Sequence, residues 1–528
     1  MPHLTRLAVA IGVAALTLTS LGAQAATLRI DNGAEPGTLD PQRSSGVWET
    51  RIIREMFETL VSYGPEGELV PGLAERWEMS GAGDALTLYL REEAQWSDGE
   101  PITADDALYS LRRLLRPEIA AHNAQLYYPI EGARAVNIGE AEPESLGVEV
   151  LDEHTLRIHF EKPTAWFMQA LAMPEAAPLP EHYLTEQGER WIEPGQTPVS
   201  GPFMLAQWQP QDHITLAKNP AYYAADSVAL DEAIFYPLED ANTALTRYRA
   251  GGLDISYSGV PGQQFAWIEE NLADALQVGP MVASYFYMFN MADDSPFSDV
   301  RVREALNLAS RREVITEQLL GMGQIPSYWF VPRATTGGTQ GEMTFADMPM
   351  DERLERARQL LTEAGYGPDN PLEVELRYNT LDDHRRIAVA IAAMWQPLGV
   401  EVTLNNSEAA THYANVNEGN FELARYGMVA TIDDPYDFLN AFSNGGTAAR
   451  STGYENAEYD ALVARSDAIL DVEERADVLT DAQQQLLDDY ALLPLYDYVN
   501  LALVSPSVSG WHNTPLDVHP LRYITLEE

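Results

Sequence analysis

The 528-residue sequence contains no cysteine, which excludes disulfide bonds, thiol catalysis and cysteine-ligated metal sites. Lysine is almost absent, because the sequence contains two, Lys162 and Lys218. Neither follows a glycine, as the lysine of a phosphate-binding P-loop must, so a P-loop is excluded. The Gly-x-Ser-x-Gly nucleophile elbow and the His-Glu-x-x-His zinc motif are also missing. We therefore expect no metal, no cofactor and no enzymatic activity.

Positive charge is scarce, and the formal net charge is -47. Such an excess of acid argues against binding to nucleic acids and to anionic lipid surfaces, because both carry negative charge. We interpret the charge as a solvated, soluble surface. Adjacent carboxylates such as Asp105-Asp106 and Asp293-Asp294 belong to that surface and do not indicate a glycosidase pair.

The first 25 residues have the pattern of a secretory signal peptide. Arg6 precedes an apolar run over residues 7–21, and Ala23-Gln24-Ala25 has the small-x-small form of a cleavage site. The run is too short to predict a membrane anchor. Because no cysteine follows the cleavage site, a lipid-anchored form is excluded, and we expect a periplasmic protein.

Hydrophobic periodicity predicts an α/β protein of two or more lobes. An extended run over 277–290 is a candidate crossing point between lobes, and strand–helix–strand spacing over 372–405 indicates an α/β unit. Predicted helices cover 51–60, 103–115, 239–250, 299–320, 351–364, 383–396, 457–469 and 473–487. Predicted strands cover 27–32, 86–90, 155–160, 201–208, 215–218, 277–290, 372–378, 400–405 and 492–504.

The stretch over residues 421–435 carries an arginine where a strand would be buried. Two-residue periodicity places Arg425 on one face with Phe421 and Leu423, and Gly427 is next on that face. A buried guanidinium needs an anion and several acceptors. Arg425 is therefore either an anchor for an anionic ligand or a partner in an internal ion pair. We expect the run to end in a turn at residues 433–435.

His384 is the one histidine that the sequence singles out. It opens the predicted helix over 383–396, where ligands often lie in α/β units. The alternative is a solvent-exposed residue in the first helical turn.

Six segments resemble the oligopeptide-binding proteins of bacterial ABC importers, within the wider peptide, nickel and opine solute-binding family. They occur in the same order as in the family and are spread over the chain that follows residues 1–25. The segments are QWSDGEPITADD at 95–106, KNPAYY at 218–223, PFSDVRVREAL at 296–306, AGY at 364–366, FELAR at 421–425 and YDYVN at 496–500.

The resemblance implies a two-lobed periplasmic-binding-protein fold of the class II type, with an extra domain and a ligand enclosed between hinged lobes. Lobe I would comprise 26–57, 181–283 and 498–528, the extra domain 58–180, and lobe II 284–497. We expect a monomer that delivers its ligand to ABC transporter permease subunits. The residues expected to bind the ligand are Ser45, Gly46, Val47, Trp48, Tyr285, His384, Arg425, Gly427, Met428, Val429, Thr431 and Asp433.

Departures from the family pattern concern the end of the site that receives a peptide amino group. The aspartate expected six residues after the strand arginine is Thr431, and the glutamate expected before the Gly-Val pair is Ser45. A threonine cannot neutralise a buried ammonium group. Either Asp433 or Asp434 substitutes, or the ligand presents no free amino terminus there.

The leading hypothesis is thus a receptor for oligopeptides or peptide-like solutes. A second hypothesis keeps the fold and changes the cargo to an N-blocked peptide, an opine, an oligosaccharide or a metal chelate. A third is a secreted hydrolase that acts through a carboxylate pair.

Overall fold

The computed structural model describes residues 25–527. The expected signal peptide therefore lies outside the described residues, apart from Ala25. Within this part of the chain, no helix has the length and the apolar character needed to cross a bilayer.

Residues 25–527 contain fifteen α-helices and nineteen strands. Helices α1 to α15 are Val47–Met56, Ala104–Leu114, Ala133–Asn137, Phe167–Leu171, Glu181–Gln187, Ala241–Arg249, Phe265–Asn271, Val300–Ala309, Met350–Glu363, Asp382–Trp395, Ala409–Asn417, Pro435–Leu439, Thr447–Thr452, Ala457–Asp467 and Val472–Asp488. Strands β1 to β19 are Thr27–Asp31, Val61–Tyr63, Leu69–Pro71, Ala74–Met79, Ala85–Leu90, Val148–Asp152, Thr155–His159, Phe203–Gln209, His213–Lys218, Glu232–Tyr236, Ile255–Ser256, Leu276–Phe289, Ile325–Pro326, Leu372–Asn379, Val400–Ser407, Leu423–Val429, Leu492–Val504, Val508–Ser509 and Thr525–Leu526.

One mixed sheet of eleven strands runs through the whole molecule. Its order is β15-β14-β16-β12-β17-β11-β1-β10-β9-β8, with β13 paired to β17. Strands β1, β10 and β11 are parallel neighbours, as are β14, β15 and β16, whereas β12 and β17 are antiparallel. We call the side with β11, β1, β10, β9 and β8 the first lobe, and the side with β16, β14 and β15 the second lobe.

Strands β12 and β17 cross from one lobe to the other, which confirms the predicted crossing at 277–290. Residues 276–280 of β12 pair with 499–503, and residues 284–288 pair with 492–497. Pairing is interrupted between Pro280 and Ser284, where the Val282 amide donates instead to Pro515. The interruption forms the narrow junction of the lobes, and bulges of this kind bend a strand locally.

A separate antiparallel sheet, β4-β5-β7-β6, forms the extra domain together with α2. The predicted capping box of α2 is confirmed, because the Asp106 carboxylate accepts the Thr103 amide at 2.9 Å. Trp96 is fully buried beside this helix. The apolar core of the extra domain is continuous with that of the first lobe, and the second lobe has a core of its own.

The extra domain also touches the second lobe through a set of side chains that we call the rim contact. The Trp166 ring stacks on Tyr436 with centroids 5.3 Å apart. The Lys162 ammonium lies 2.6 Å from the Asp467 carboxylate. An aromatic pair and an ion pair thus join the extra domain to the second lobe.

Two helices differ from their predicted spans, and one predicted turn is confirmed. Helix α1 begins at Val47 rather than 51, since the Glu49 carboxylate caps the amides of Ser45 and Gly46. The helix expected over 299–320 is interrupted after α8 at residues 310–311, and the chain then continues into a π-helix over Val314–Leu320. The expected end of the strand run in a turn is confirmed, because residues 431–434 form a bend and α12 begins at Pro435, with Asp434 as its N-cap.

We predict that Asp497→Asn stabilises the protein above pH 7. Asp497 is buried on β17 beside the register break, and burial raises its pKa to about 7. In the unfolded chain this carboxyl ionises near pH 4, so it removes stability as the pH rises from about 4 to 7. The variant should gain at least about 1.4 kcal/mol at pH 8 and nothing at pH 4, measured by urea unfolding. Glu93→Gln, at an exposed acid, is the control; an equal gain at both pH values would contradict the prediction.

Candidate functional site

A cavity of about 520 Å³ lies where the two lobes and the extra domain meet. The first lobe contributes residues 45–55 around α1 and the segment 516–521, and the extra domain contributes His122 and Met173. The second lobe contributes residues 429–431, directly after β16, and the crossing strand contributes Met281. A site built from all these segments changes shape whenever the lobes move.

The segment before α1 forms one wall of the cavity. Ser45, Gly46 and Val47 line it, and Val47 is 59% exposed. The Trp48 indole is partly exposed and folds back against Gly46, where an added Cβ would lie 2.5 Å from the ring. Exposed apolar side chains beside a cavity are typical of a surface that a ligand covers.

The end of β16 and the two residues that follow it form another wall of the cavity. Val429 and Thr431 line the cavity, and Val429 is 58% exposed. Met428 lines a separate space of about 210 Å³ inside the second lobe, beside Phe286. Met428 thus borders a space within its own lobe, whereas Val429 borders both this space and the cavity that Val47 also lines.

Arg425 lies on the same strand, about 13 Å from Val429 at the usual rise per residue. It is 5% exposed, and its guanidinium donates to the hydroxyls of Tyr413 at 2.8 Å and Tyr498 at 2.7 Å and to the Asn379 amide oxygen at 3.2 Å. In the described part of the chain it forms no ion pair, and its Nε atom has no acceptor. The internal ion pair considered from the sequence is therefore excluded among these residues.

Gly427 keeps space open beside this guanidinium. A Cβ at Gly427 would lie 2.8 Å from Arg425 Nη2 and 3.1 Å from the Tyr498 hydroxyl. Both distances are shorter than ordinary contacts, so a larger residue would displace the arginine. The absence of a side chain at Gly427 therefore allows the Arg425 guanidinium to occupy its observed position.

Tyr285 and His384 complete the surroundings of Arg425. Arg425 lies 4.7 Å from the Tyr285 ring centroid, and the Tyr285 hydroxyl lies 3.4 Å from His384 Nδ1. His384 is buried, so its interpretation as a solvent-exposed residue is wrong. Burial, together with the nearby Arg425 charge, lowers the pKa of His384 to about 3. The imidazole is therefore neutral at ordinary pH, and Arg425 is the charged member of the cluster.

The acidic side chains around Thr431 are all engaged in internal bonds. Asp433 accepts from the amide and the hydroxyl of Thr336, at 2.8 and 2.6 Å. Asp434 binds Arg475 through two bonds of 2.7 and 2.8 Å, and Asp437 accepts the Thr431 amide at 2.7 Å. Thr431 itself lines the cavity, but these three carboxylates hold the protein together around it.

The cavity also contains charged residues that the sequence analysis missed. Asp517 pairs with Arg51 at 2.8 Å and with His519 at 3.0 Å, and Arg54 donates to the Ala172 carbonyl. Glu55 accepts the Leu521 amide, and burial raises its pKa to about 7. The spacing of Val47, Arg51 and Arg54, which places them on one helical face, could have indicated that the two arginines lie at the site. The sequence pattern did not reveal this because α1 begins earlier than its apolar periodicity indicates.

Within residues 25–527, no group of three or more histidine, aspartate and glutamate side chains could hold a metal ion. The site therefore offers hydrogen bonds, two exposed apolar residues and fixed charges. Such a set can bind and orient a solute.

Comparison with known proteins gives the family. Residues 68–450 match the model of bacterial extracellular solute-binding proteins, family 5 Middle. The periplasmic oligopeptide-binding protein OppA of Salmonella typhimurium is 34% identical over 495 residues, which cover 93% of this chain and 91% of OppA.

Two solved structures cover nearly the whole chain. The unliganded open form of MppA, a periplasmic murein tripeptide-binding protein, gives a TM-score of 0.86 at 32% identity, covering 96% of this chain and 98% of MppA. OppA of Haemophilus influenzae in complex with RPPGFSPFR gives a TM-score of 0.78 at 34% identity, and the match covers 96% of this chain and 99% of OppA. This chain thus agrees better with an open form than with a peptide complex.

These comparisons confirm the expected α/β fold of two lobes, and they contradict the hydrolase hypothesis, because the matched family consists of solute-binding proteins. The chain is a binding protein and not an enzyme. It belongs to family 5 of the bacterial extracellular solute-binding proteins.

Proposed function

We propose that this protein is the periplasmic receptor of an ABC importer and that it captures peptides or peptide-like solutes between its lobes for delivery to membrane permease subunits. The observation that carries the proposal is the cavity between Val47 of the first lobe and Val429 of the second. Its relatives OppA and MppA are periplasmic binding proteins for oligopeptides and murein tripeptide. The receptor is a monomer, and residues 1–25 are its signal peptide.

The ligand lies extended between two backbone segments, residues 46–48 and residues 427–429. Peptide receptors commonly bind a strand-like ligand through its main chain and leave its side chains in hydrated pockets. Supporting this placement, Gly46, Val47 and Val429 line the space between the lobes, and Val47 and Val429 are both exposed. When the lobes close, water leaves and the backbone hydrogen bonds gain strength.

Arg425 receives the terminal carboxylate of the ligand, and His384 and Tyr285 hold Arg425 in position. The proposal is supported by a buried guanidinium that has neutral partners and an unpaired Nε atom. A carboxylate would supply the missing counter-charge. The distance of about 13 Å between Val429 and Arg425 corresponds to about four extended residues.

The lobes hinge at the interruption of β12 and β17. We assign 26–57, 181–283 and 498–528 to lobe I, 58–180 to the extra domain and 284–497 to lobe II. The register break after Pro280 and the unpaired position of Tyr498 support these boundaries, since both lie within three residues of a proposed crossing.

A related function has the same fold with a cargo that is not a free peptide. It is favoured by Ser45 and Thr431 in the cavity and by the internal bonds of Asp433 and Asp434. A cargo of this kind, such as an N-blocked peptide, would need no acid at this end of the site.

We predict that a subset of di- to pentapeptides, with free and with acetylated amino termini, raises the Tm of the mature protein. A ligand present at a hundred times its Kd adds about 2.7 kcal/mol to the free energy of unfolding. A thermal-shift screen that includes sugars and opines as comparison classes makes the measurement. If no peptide of either kind shifts Tm and another class does, the peptide assignment fails.

We also predict that Arg425→Met weakens binding of a peptide at least tenfold, about 1.4 kcal/mol, when its terminal carboxyl is free. The same substitution should change the affinity for the matching C-terminal amide less than threefold, because that ligand brings no charge to Arg425. Isothermal titration of both ligands against both proteins gives the four constants. Equal losses for acid and amide would contradict the assignment, and circular dichroism verifies that the variant is folded.

A further inference from the structure

The cavity between the lobes lacks the acidic excess of the rest of the chain. Its lining includes two arginines, Arg51 and Arg54, and two acids, Glu55 and Asp517, together with His122 and His519. With histidine counted as neutral, the whole chain carries -47, whereas the two arginines and the two acids of the lining balance. In a strongly acidic protein, a place without net negative charge repels an anionic solute least.

The acids at this end of the cavity already accept hydrogen bonds within the protein. Asp517 uses one oxygen for Arg51 and the other for His519. Asp433 and Asp434 likewise use both oxygens, for Thr336 and for Arg475. Glu55 is buried and accepts the Leu521 amide through Oε1. A ligand ammonium placed beside Asp433, Asp434 or Asp517 would have to break an existing bond before it gained a counter-ion.

Arg51 and Arg54, in contrast, each have N–H donors that are not used in hydrogen bonds among the described residues. Arg51 makes one hydrogen bond within the described residues, from Nη2 to Asp517, and its guanidinium lies 3.6 Å above the Tyr257 ring. Arg54 makes one, to the Ala172 carbonyl at 3.0 Å. A guanidinium carries five N–H donors in a planar fork that matches a carboxylate. Residues 51 and 54 are three apart on α1, so both forks lie on one face of the helix.

We infer that the cavity beside Ser45 and Thr431 binds a carboxylate of the ligand, held by Arg51 and Arg54, in place of the free α-ammonium group of a peptide. The inference rests on the proposed function and specifies its ligand as a peptide-like solute that is blocked at its amino end and acidic there. The carboxylate comes either from the side chain of a blocked first residue or from an acidic acyl group on the amine. Thr431 and Ser45 supply neutral hydroxyls, which tolerate a blocked amine.

The test is a titration series against the mature protein. The probes are acetyl-Glu-Ala-Ala, acetyl-Gln-Ala-Ala, succinyl-Ala-Ala-Ala and unblocked Lys-Ala-Ala. We expect at least one of the two acidic probes to bind tenfold or more tightly than the Gln and Lys probes. A preference for acetyl-Glu over succinyl identifies a side-chain carboxylate, and the reverse preference identifies an acyl carboxylate.

Arg51→Gln should reduce the ratio of the Kd of the Gln probe to the Kd of the acidic probe to less than threefold. Arg51→Lys, which keeps the charge, should retain part of the advantage. The matched control is Arg385→Gln, at an arginine that is 62% exposed on α10 and pairs with Asp382. This control should leave all four constants unchanged, and Tm values verify that the variants are folded.

The inference is overturned if Lys-Ala-Ala binds as tightly as the acidic probes or if Arg51→Gln leaves their advantage intact. In either case binding of the peptides themselves still supports the proposed receptor. If none of the four peptides binds, the proposed function fails, and a thermal shift with glutarate alone decides the charge preference. Glutarate should raise Tm in the unmodified protein more than in Arg51→Gln, and equal shifts overturn the inference.

Discussion

The interrupted pairing of β12 with β17 is the constraint on which the rest of the structure depends. A continuous antiparallel pair would fix the two lobes rigidly, because each ladder bond limits bending of the strands. Here the ladder holds at 276–280 and again at 284–288, and the residues between pair with neither register. The chain therefore keeps one sheet through both lobes while a few residues absorb a change of angle, as hinges in two-lobed receptors do.

The two ends of the proposed site differ in how their buried charges are paired. At one end, Arg425 is surrounded by hydroxyls and an amide, and its charge is left uncompensated. This chain can neutralise buried arginines elsewhere, as the pairs Arg113–Asp40 and Arg475–Asp434 demonstrate. Arg312 is also buried among neutral acceptors without an ion pair, but both its Nε and its Nη atoms donate to them, whereas the Nε atom of Arg425 has no acceptor among the described residues. At the other end, the acids are present but already occupied.

Much of the fold was predictable because helices and strands depend on neighbouring residues. The strand at β14 and the helices α9 and α10 match their predicted spans to within one residue at each end, since their apolar periodicity is regular. The start of α1 was missed because a carboxylate, Glu49, caps backbone amides that precede it. Caps of this kind override periodicity at helix ends.

The site was less predictable because its contacts join distant segments. Arg425 could be singled out by its position among apolar residues, but its partners Asn379 and Tyr498 are 46 and 73 residues away in sequence. The bonds that occupy Asp433 and Asp434 come from Thr336 and Arg475 on separate elements. No local pattern reports such pairings, so the sequence alone left both acids available to a ligand.

The rim contact has a practical consequence because lysine is so scarce. Apart from the α-amine, the chain offers two lysine side chains to amine-selective reagents. Lys218 donates to the Val228 carbonyl within the first lobe, whereas Lys162 spans the rim to Asp467 and is more than half exposed. A dye or cross-linker directed at amines therefore reaches the contact between the extra domain and the second lobe without engineered cysteines, and its signal follows the separation of these two parts.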